Sequence, residues 1–243
     1  MSTENSNVFK KENLDLYLKE LAKEYKKLAG KKTPAELILV GGAAVIESYG
    51  FRDMTTDIDA VVNASSAMKE AANNVGDRYG LPNGWLNADF KKTVSYSEKL
   101  IQYSSFYKTF EGTLSVRVVK GEYLAAMKLR AFRQYKNDLS DIIGILAEHE
   151  KRGDGLTLER IEKALKDLYG SEYVLPDGAE AFIEATFSEG DHEKVYELIR
   201  KNEKDAKEQL IDFENRYPGA LSGENVNDVL SRLREMKRKK EDN

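Results

Sequence analysis

A Gly-Gly pair followed by two aspartates in a strand-like run constrains this chain more than any other feature. An apolar run ends at Gly41-Gly42, and Asp57-Ile58-Asp59 opens a second apolar run fifteen residues later. Side chains alternate along a strand, so Asp57 and Asp59 are expected on one face, with Ile58 packed behind them. Two carboxylates about 6–7 Å apart repel each other unless a cation lies between them. The run therefore predicts a site for Mg²⁺ or Mn²⁺, with Asp57 and Asp59 as its ligands.

The Gly41-Gly42 pair predicts a place where the backbone comes close to a phosphate. Glycine has no side chain to hold a ligand away, and a helix predicted over 43–49 would present its positive N-terminus to an anion. Thr56 is expected to add a hydroxyl near that phosphate. A phosphate cradle beside metal-binding carboxylates is what phosphoryl or nucleotidyl transfer requires. The alternative is a solvated strand end after a tight turn, since acids two residues apart are common on exposed strands.

The order of predicted elements indicates an α/β (α+β) fold with a small mixed sheet, flanking helices and a helical C-terminal half. A first helix over 9–29 has an apolar stripe at helical spacing, and strands are predicted over 36–40, 57–62, 107–110 and 114–119. The last two strands form a predicted hairpin. Beyond residue 121 the predicted helices cover 123–133, 139–149, 156–168, 178–187, 193–217 and 226–239. We therefore divide the chain into an α/β domain, 1–120, and a helical domain, 121–243.

Composition excludes several classes of protein. The 243 residues are 41% hydrophobic and carry a net charge of −4, so the chain has enough apolar residues for a core and is not a polycation. The absence of cysteine excludes disulfides and thiolate sites. Residues 1–7 show no signal pattern, and no apolar run approaches the ~20 residues that span a bilayer. We expect a cytoplasmic protein with no membrane contact.

The strand, Gly-Gly, helix and Asp-x-Asp order resembles the nucleotidyltransferase superfamily related to DNA polymerase β. A later segment, with Lys128 and Arg133 in one helix and Asp138-Leu-Ser-Asp141 opening the next, is similar to minimal nucleotidyltransferases near the AbiE- and MenT-type toxins. In that group a helix supplies a lysine, a basic residue follows, and an Asp-x-x-Asp begins the next helix. The resemblance covers roughly residues 33–145 and implies a sheet of the nucleotidyltransferase type.

The resemblance also implies roles for the residues of this later segment. Lys128 and Arg133 would offset the charge of an NTP triphosphate, with Arg117 as an alternative to Arg133. Asp138 would take part in catalysis, although helix capping explains an aspartate at that position equally well. Asp141, one turn later, is expected to be a buried partner of Lys128 or Arg133.

One departure from the superfamily pattern keeps two functions open. Most active members add a third carboxylate on a strand beside the Asp-x-Asp strand, but the strand predicted over 114–119 has Arg117 where that acid would fall. One hypothesis is an enzyme that moves an NMP from an NTP to a tRNA end or a protein side chain, in a toxin–antitoxin or phage-defence setting with a cognate antitoxin. A small-molecule acceptor stays open. The other hypothesis is a degenerate fold that binds nucleotide or protein without turnover.

The segment Trp85-Leu-Asn87-Ala-Asp89 follows a loop rich in glycine and proline. Its polar residues are candidates for lining a nucleotide or acceptor pocket. A packed tryptophan with polar neighbours in a loop is an equally good interpretation.

Overall fold

The computed structural model describes residues 8–223 and 225–241. A five-stranded mixed sheet with flanking helices precedes a helical C-terminal half, which confirms the predicted fold class. Residues 1–7, for which the sequence indicates no signal segment, lie outside the described part. The strands are β1 (Ala35–Leu39), β2 (Ile58–Asn63), β3 (Leu86–Asn87), β4 (Ser104–Phe110) and β5 (Leu114–Val119).

Helices and the loops that connect them make up the rest of the described chain. Within the described ranges, no helix is both long and apolar enough to cross a membrane. Two short 3₁₀ helices lie at Asp89–Lys92 and Glu98–Ile101. The α-helices are α1 (Lys11–Ala29), α2 (Gly41–Ser48), α3 (Ala67–Tyr79), α4 (Gly121–Ala131), α5 (Asp138–Lys151), α6 (Leu158–Tyr169), α7 (Ala179–Glu189), α8 (His192–Arg216) and α9 (Val226–Glu241).

The strands lie in the order β3-β2-β1-β5-β4. β1 runs antiparallel to β2 and parallel to β5, and β3 runs parallel to β2. β4 and β5 form the predicted hairpin, in which Glu111 and Gly112 have φ angles of 51° and 68°. Positive φ at both central residues matches the right-handed twist of the strands. β4 begins at Ser104, earlier than the predicted 107, because residues 104–106 continue the ladder with β5.

One hydrophobic cluster joins the sheet to the first helices of the C-terminal half. It extends from Phe9 to Ile183, so the two predicted domains share a core. A second, smaller cluster joins α8 to α9. The stripe predicted for α1 is fully buried at Leu14, Leu18, Leu21 and Tyr25.

The local structure around the glycine and aspartate pairs differs from the prediction by a residue or two. Gly41 and Gly42 are the first residues of α2 and not a separate turn before it. β2 begins at Ile58, so Asp57 lies at the entrance of the strand. α4 ends at Ala131, before the predicted 133, because the next residue, Phe132, has a left-handed φ of 44°.

Candidate active site

Asp57 and Asp59 lie where the chain enters β2, and two cavities meet at this point. The small cavity has a volume of about 400 Å³ and the large cavity about 620 Å³, and both acids line both cavities. Ile58 and Ala60 are fully buried behind them, as the alternation of side chains along a strand requires. The acid pair therefore faces one shared space and is not spread across the sheet.

The two cavities lie on different sides of the acid pair, and each combines charged side chains with an apolar part. The small cavity lies between the segment that follows β3 and α4. The large cavity runs from the start of α2 to α8. The apolar wall of the small cavity consists of Phe90, Val94, Leu124, Met127 and Ala131. The outer wall of the large cavity includes Lys207, Leu210, Ile211 and Glu214.

The carboxylate of Asp59 is held in place by its neighbours. Asn87 lies opposite Asp59 in the β2–β3 ladder and donates a hydrogen bond from Nδ2 to Asp59 Oδ1 over 2.8 Å. The other oxygen lies against Gly41, where an added Cβ would come within 2.7 Å of Asp59 Oδ2. Gly41 also has a φ of +55°, which favours glycine. The first glycine of the pair is therefore required by the close approach of a carboxylate.

Burial, followed by the charge of Asp57, raises the pKa of Asp59 above its ordinary value. The part of this shift that comes from Asp57 is a repulsion that a bound cation would relieve. Carboxylate oxygens are also the donors that Mg²⁺ and Mn²⁺ prefer. Among the described residues no cluster of three acidic or histidine side chains is placed to hold a metal. The acid pair thus fits a divalent cation only as a two-carboxylate site that substrate oxygens and water complete.

Gly42 brings the start of α2 to the wall of the large cavity. An added Cβ there would collide with Thr55 Oγ1 and lie 2.9 Å from Arg52 Nη2. Thr55 is buried, and main-chain hydrogen bonds of 2.7 and 2.8 Å join it to Phe9. Thr56, the next residue, is exposed and lines the same cavity. Helix amides, a guanidinium and two hydroxyls on one wall are groups that bind phosphate.

A chain of ion pairs, buried except at Arg133, lies next to the acid pair. Arg52 Nη1 is 2.6 Å from Asp141 Oδ2, and Lys128 Nζ is 2.7 Å from the same oxygen. Lys128 Nζ also lies 3.3 Å from Asp138 Oδ1, and Arg133 Nε lies 2.7 Å from Asp138 Oδ2. The prediction that Asp141 is a buried partner of Lys128 is confirmed. Three cations and two carboxylates give this chain of ion pairs a net positive charge.

These pairs determine the protonation states beneath the site. Burial lowers the pKa of Lys128, but Asp141 and Asp138 outweigh it and raise that pKa above its ordinary value. Burial raises the pKa of Asp138, but Lys128 and Arg133 outweigh it and hold that pKa below its usual range. Lys128 therefore stays charged although it is only 7% exposed.

Asp138 directs its whole carboxylate toward these basic residues. Oδ2 accepts hydrogen bonds from the backbone N and Nε of Arg133, and Oδ1 accepts them from Arg133 Nη2 and Lys128 Nζ. Asp138, the first residue of α5, is 1% exposed, and its side chain makes no bond to the amides of that helix. This geometry indicates that Asp138 positions Lys128 and Arg133. It argues against the two roles that the sequence left open for Asp138, capping α5 and taking a proton.

Arg117 lies outside the site. β1 separates its strand, β5, from β2, and its guanidinium donates to Oγ and the main-chain oxygen of Ser104 over 2.8 and 2.6 Å. The expectation that the 114–119 strand lies beside the acid pair is therefore wrong. On β3, which does lie beside β2, the residue opposite Asp59 is Asn87, an amide and not a carboxylate.

Of the two interpretations of the segment 85–89, the packed tryptophan is confirmed, and the nucleotide or acceptor pocket stays a prediction. Trp85 is buried and donates from Nε1 to the main-chain oxygen of Ala72 over 2.9 Å. Asn87 and Asp89 line the small cavity. Sequence reasoning missed Arg52 altogether. Its place five residues before the acid pair is a signal, but spacing alone does not separate a buried arginine from a surface one.

A family comparison agrees with this geometry. Residues 17–150, a little more than half of the chain, match the family model described as "Nucleotidyltransferase of unknown function (DUF6036)". The matched range includes the acid pair, the Gly-Gly pair and the buried ion pairs, and it ends before α6. Comparison with curated proteins and with solved structures gives no significant match.

Proposed function

The chain belongs to this family of nucleotidyltransferases, and we propose that it is a metal-dependent enzyme that moves an NMP from an NTP to a hydroxyl acceptor. One observation carries the proposal: the acid pair, the start of α2 and the cations Lys128 and Arg133 surround the same space. Carboxylates for a metal, amides for phosphate and fixed positive charge are the groups that this reaction needs.

Asp57 and Asp59 would hold Mg²⁺ or Mn²⁺. Support comes from their oxygen donors and from the mutual repulsion that contributes to the raised pKa of Asp59. A bound cation supplies charge neutralisation for the triphosphate and makes the α-phosphorus more electrophilic. Asn87 and Gly41 keep the Asp59 carboxylate in one orientation, so the ligand is positioned before the metal arrives.

The triphosphate would lie on the wall of the large cavity. Gly41 and Gly42 contribute the first amides of α2, and Arg52, Thr55 and Thr56 contribute a guanidinium and two hydroxyls. The apolar wall of the small cavity suits the nucleoside, because a base and a sugar bury apolar surface there.

In the reaction, the acceptor oxygen bonds to the α-phosphorus while the bond from that phosphorus to the bridging oxygen breaks. Pyrophosphate leaves with the electron pair of that bond, and the hydroxyl proton passes to a carboxylate of the acid pair. Lys128 and Arg133 offset the charge that grows on the leaving group. Asp138, ionised and fully paired, keeps both cations in place.

The acceptor is proposed from the resemblance to the AbiE- and MenT-type toxins. It would be a tRNA end or a protein side chain, in a cytoplasmic toxin–antitoxin or phage-defence system with a cognate antitoxin as partner. A small-molecule acceptor is the alternative within the same chemistry. A second candidate function, a nucleotide-binding module without turnover, is favoured by Asn87, which places an amide and not a carboxylate opposite Asp59.

The test is label transfer from each α-³²P-labelled NTP, with Mg²⁺ or Mn²⁺, to total tRNA or to the protein itself. Wild type should transfer label, and Asp59→Asn should lower the rate by roughly 10²-fold or more, since it weakens metal binding. Asp53→Asn removes an exposed acid from the same segment and should have little effect. Nucleotide binding without transfer to any acceptor would favour the binding module. Equal loss in both variants would refute the assignment of the acid pair.

A further inference from the structure

Glu203 is a buried acid that this mechanism does not use. It lies in α8, beyond the family-matched range, and is 4% exposed. Its Oε1 accepts hydrogen bonds from the backbone amides of Leu139 and Ser140 over 2.9 and 3.1 Å. These are the amides that directly follow Asp138 in the first turn of α5.

The first amides of a helix have no partner within the helix, and a nearby polar side chain usually caps them. In α5 the expected residues do not do so. Asn137 makes no side-chain cap bond, and Asp138 directs both of its oxygens to Arg133 and Lys128. Because Glu203 satisfies the amides from another helix, the Asp138 carboxylate is available to the basic residues.

The segment that carries Arg133 is tied to the C-terminal helices at further points. Arg234 in α9 donates to Gln134 Oε1 over 2.5 Å. Tyr135 packs against the cluster that joins α8 to α9. Arg133, Gln134 and Tyr135 follow one another between α4 and α5. The first contacts Asp138, and the other two contact the C-terminal helices.

We propose that Glu203 is a positioning residue, which occupies the amides of α5 so that the Asp138 carboxylate stays on Arg133 and Lys128. Without Glu203, those amides compete for the same carboxylate, and Arg133 loses its partner. The effect on activity depends on the proposed function, whereas the effect on Arg133 is measurable in the protein alone.

The test compares three variants of the full chain. Glu203→Ala removes the acceptor, Glu203→Gln keeps an oxygen for both amides, and Glu208→Ala removes an exposed acid of the same helix. Label transfer should fall roughly tenfold or more in Glu203→Ala, because a small misplacement of a charged group is costly in such sites. The glutamine variant and the control should stay within about threefold of wild type. In the free protein, exchange of the Arg133 Nε–H proton, followed by NMR, should accelerate by roughly tenfold in the alanine variant alone.

Equal Arg133 exchange in Glu203→Ala and Glu203→Gln would overturn the positioning role. So would the same acceleration in Glu208→Ala. If Glu203→Ala does not fold, Glu203→Asp withdraws the carboxylate by one methylene and should give the same change in milder form. If wild type transfers no label, the proposed function fails, and the exchange comparison still decides the role of Glu203.

Discussion

Glu203→Gln should change how the stability of this protein depends on pH. Burial raises the pKa of Glu203 from 4.5 to about 7, which outweighs the opposite effect of its hydrogen bonds to Ser140 and Leu139. In the unfolded chain that burial is lost and the pKa returns toward 4.5. Between these two values the folded carboxyl keeps a proton that the unfolded chain has released. The contribution of Glu203 to stability is therefore highest below about pH 4.5, falls as the pH rises through about 7, and then levels off.

The size of this effect follows from the two pKa values. A pKa that moves from 4.5 to about 7 corresponds to about 3 kcal/mol, at ~1.4 kcal/mol for each pKa unit. Glutamine does not titrate and keeps an oxygen for the two amides. As the pH rises from 4 to 8, the free energy of unfolding of wild type should therefore fall by about 3 kcal/mol relative to that of Glu203→Gln.

Urea denaturation followed by far-UV circular dichroism, at several pH values across this range, measures the difference directly. Glu208→Gln removes an exposed carboxylate from the same helix and serves as the control. The reasoning is refuted if the difference between Glu203→Gln and wild type is the same at pH 4 and pH 8. It is also refuted if the control reproduces the change.

Two further substitutions test the site. Gly41→Ala should abolish Mn²⁺-dependent nucleotide binding in calorimetry, because the new Cβ would lie 2.7 Å from Asp59 Oδ2. Gly112→Ala has the same kind of positive φ with no atom near the new Cβ, so it should cost only about 1–2 kcal/mol of stability and leave binding intact. Asp141→Asn should lower the free energy of unfolding in urea by about 3 kcal/mol, because it leaves the charge of buried Lys128 undercompensated. A loss of less than about 1 kcal/mol would contradict that account.

Features that depend only on residues close together in the sequence were predictable from the sequence alone. Asp57 and Asp59 face one space with Ile58 buried between them, since the two-residue repeat of a strand is a local property. The buried stripe of α1 and the β4–β5 hairpin follow in the same way, from the helical repeat and from Glu111-Gly112 between two strand-like runs. The pairing of Lys128 with Asp141 was also within reach, because the two residues are only thirteen positions apart in the sequence.

The partners of these groups were decided by the tertiary structure. Arg52 and Asp141 are 89 residues apart in the chain, and Glu203 and Leu139 are 64 apart. Strand order, which places Asn87 and not Arg117 beside the acid pair, is likewise absent from any local repeat. The physical reason is that the hydrophobic pattern of a segment specifies which face it buries, but not which other segment covers that face. The local sequence thus determined that the acid pair and the Gly-Gly pair form a site, and long-range packing determined which charged residues surround it.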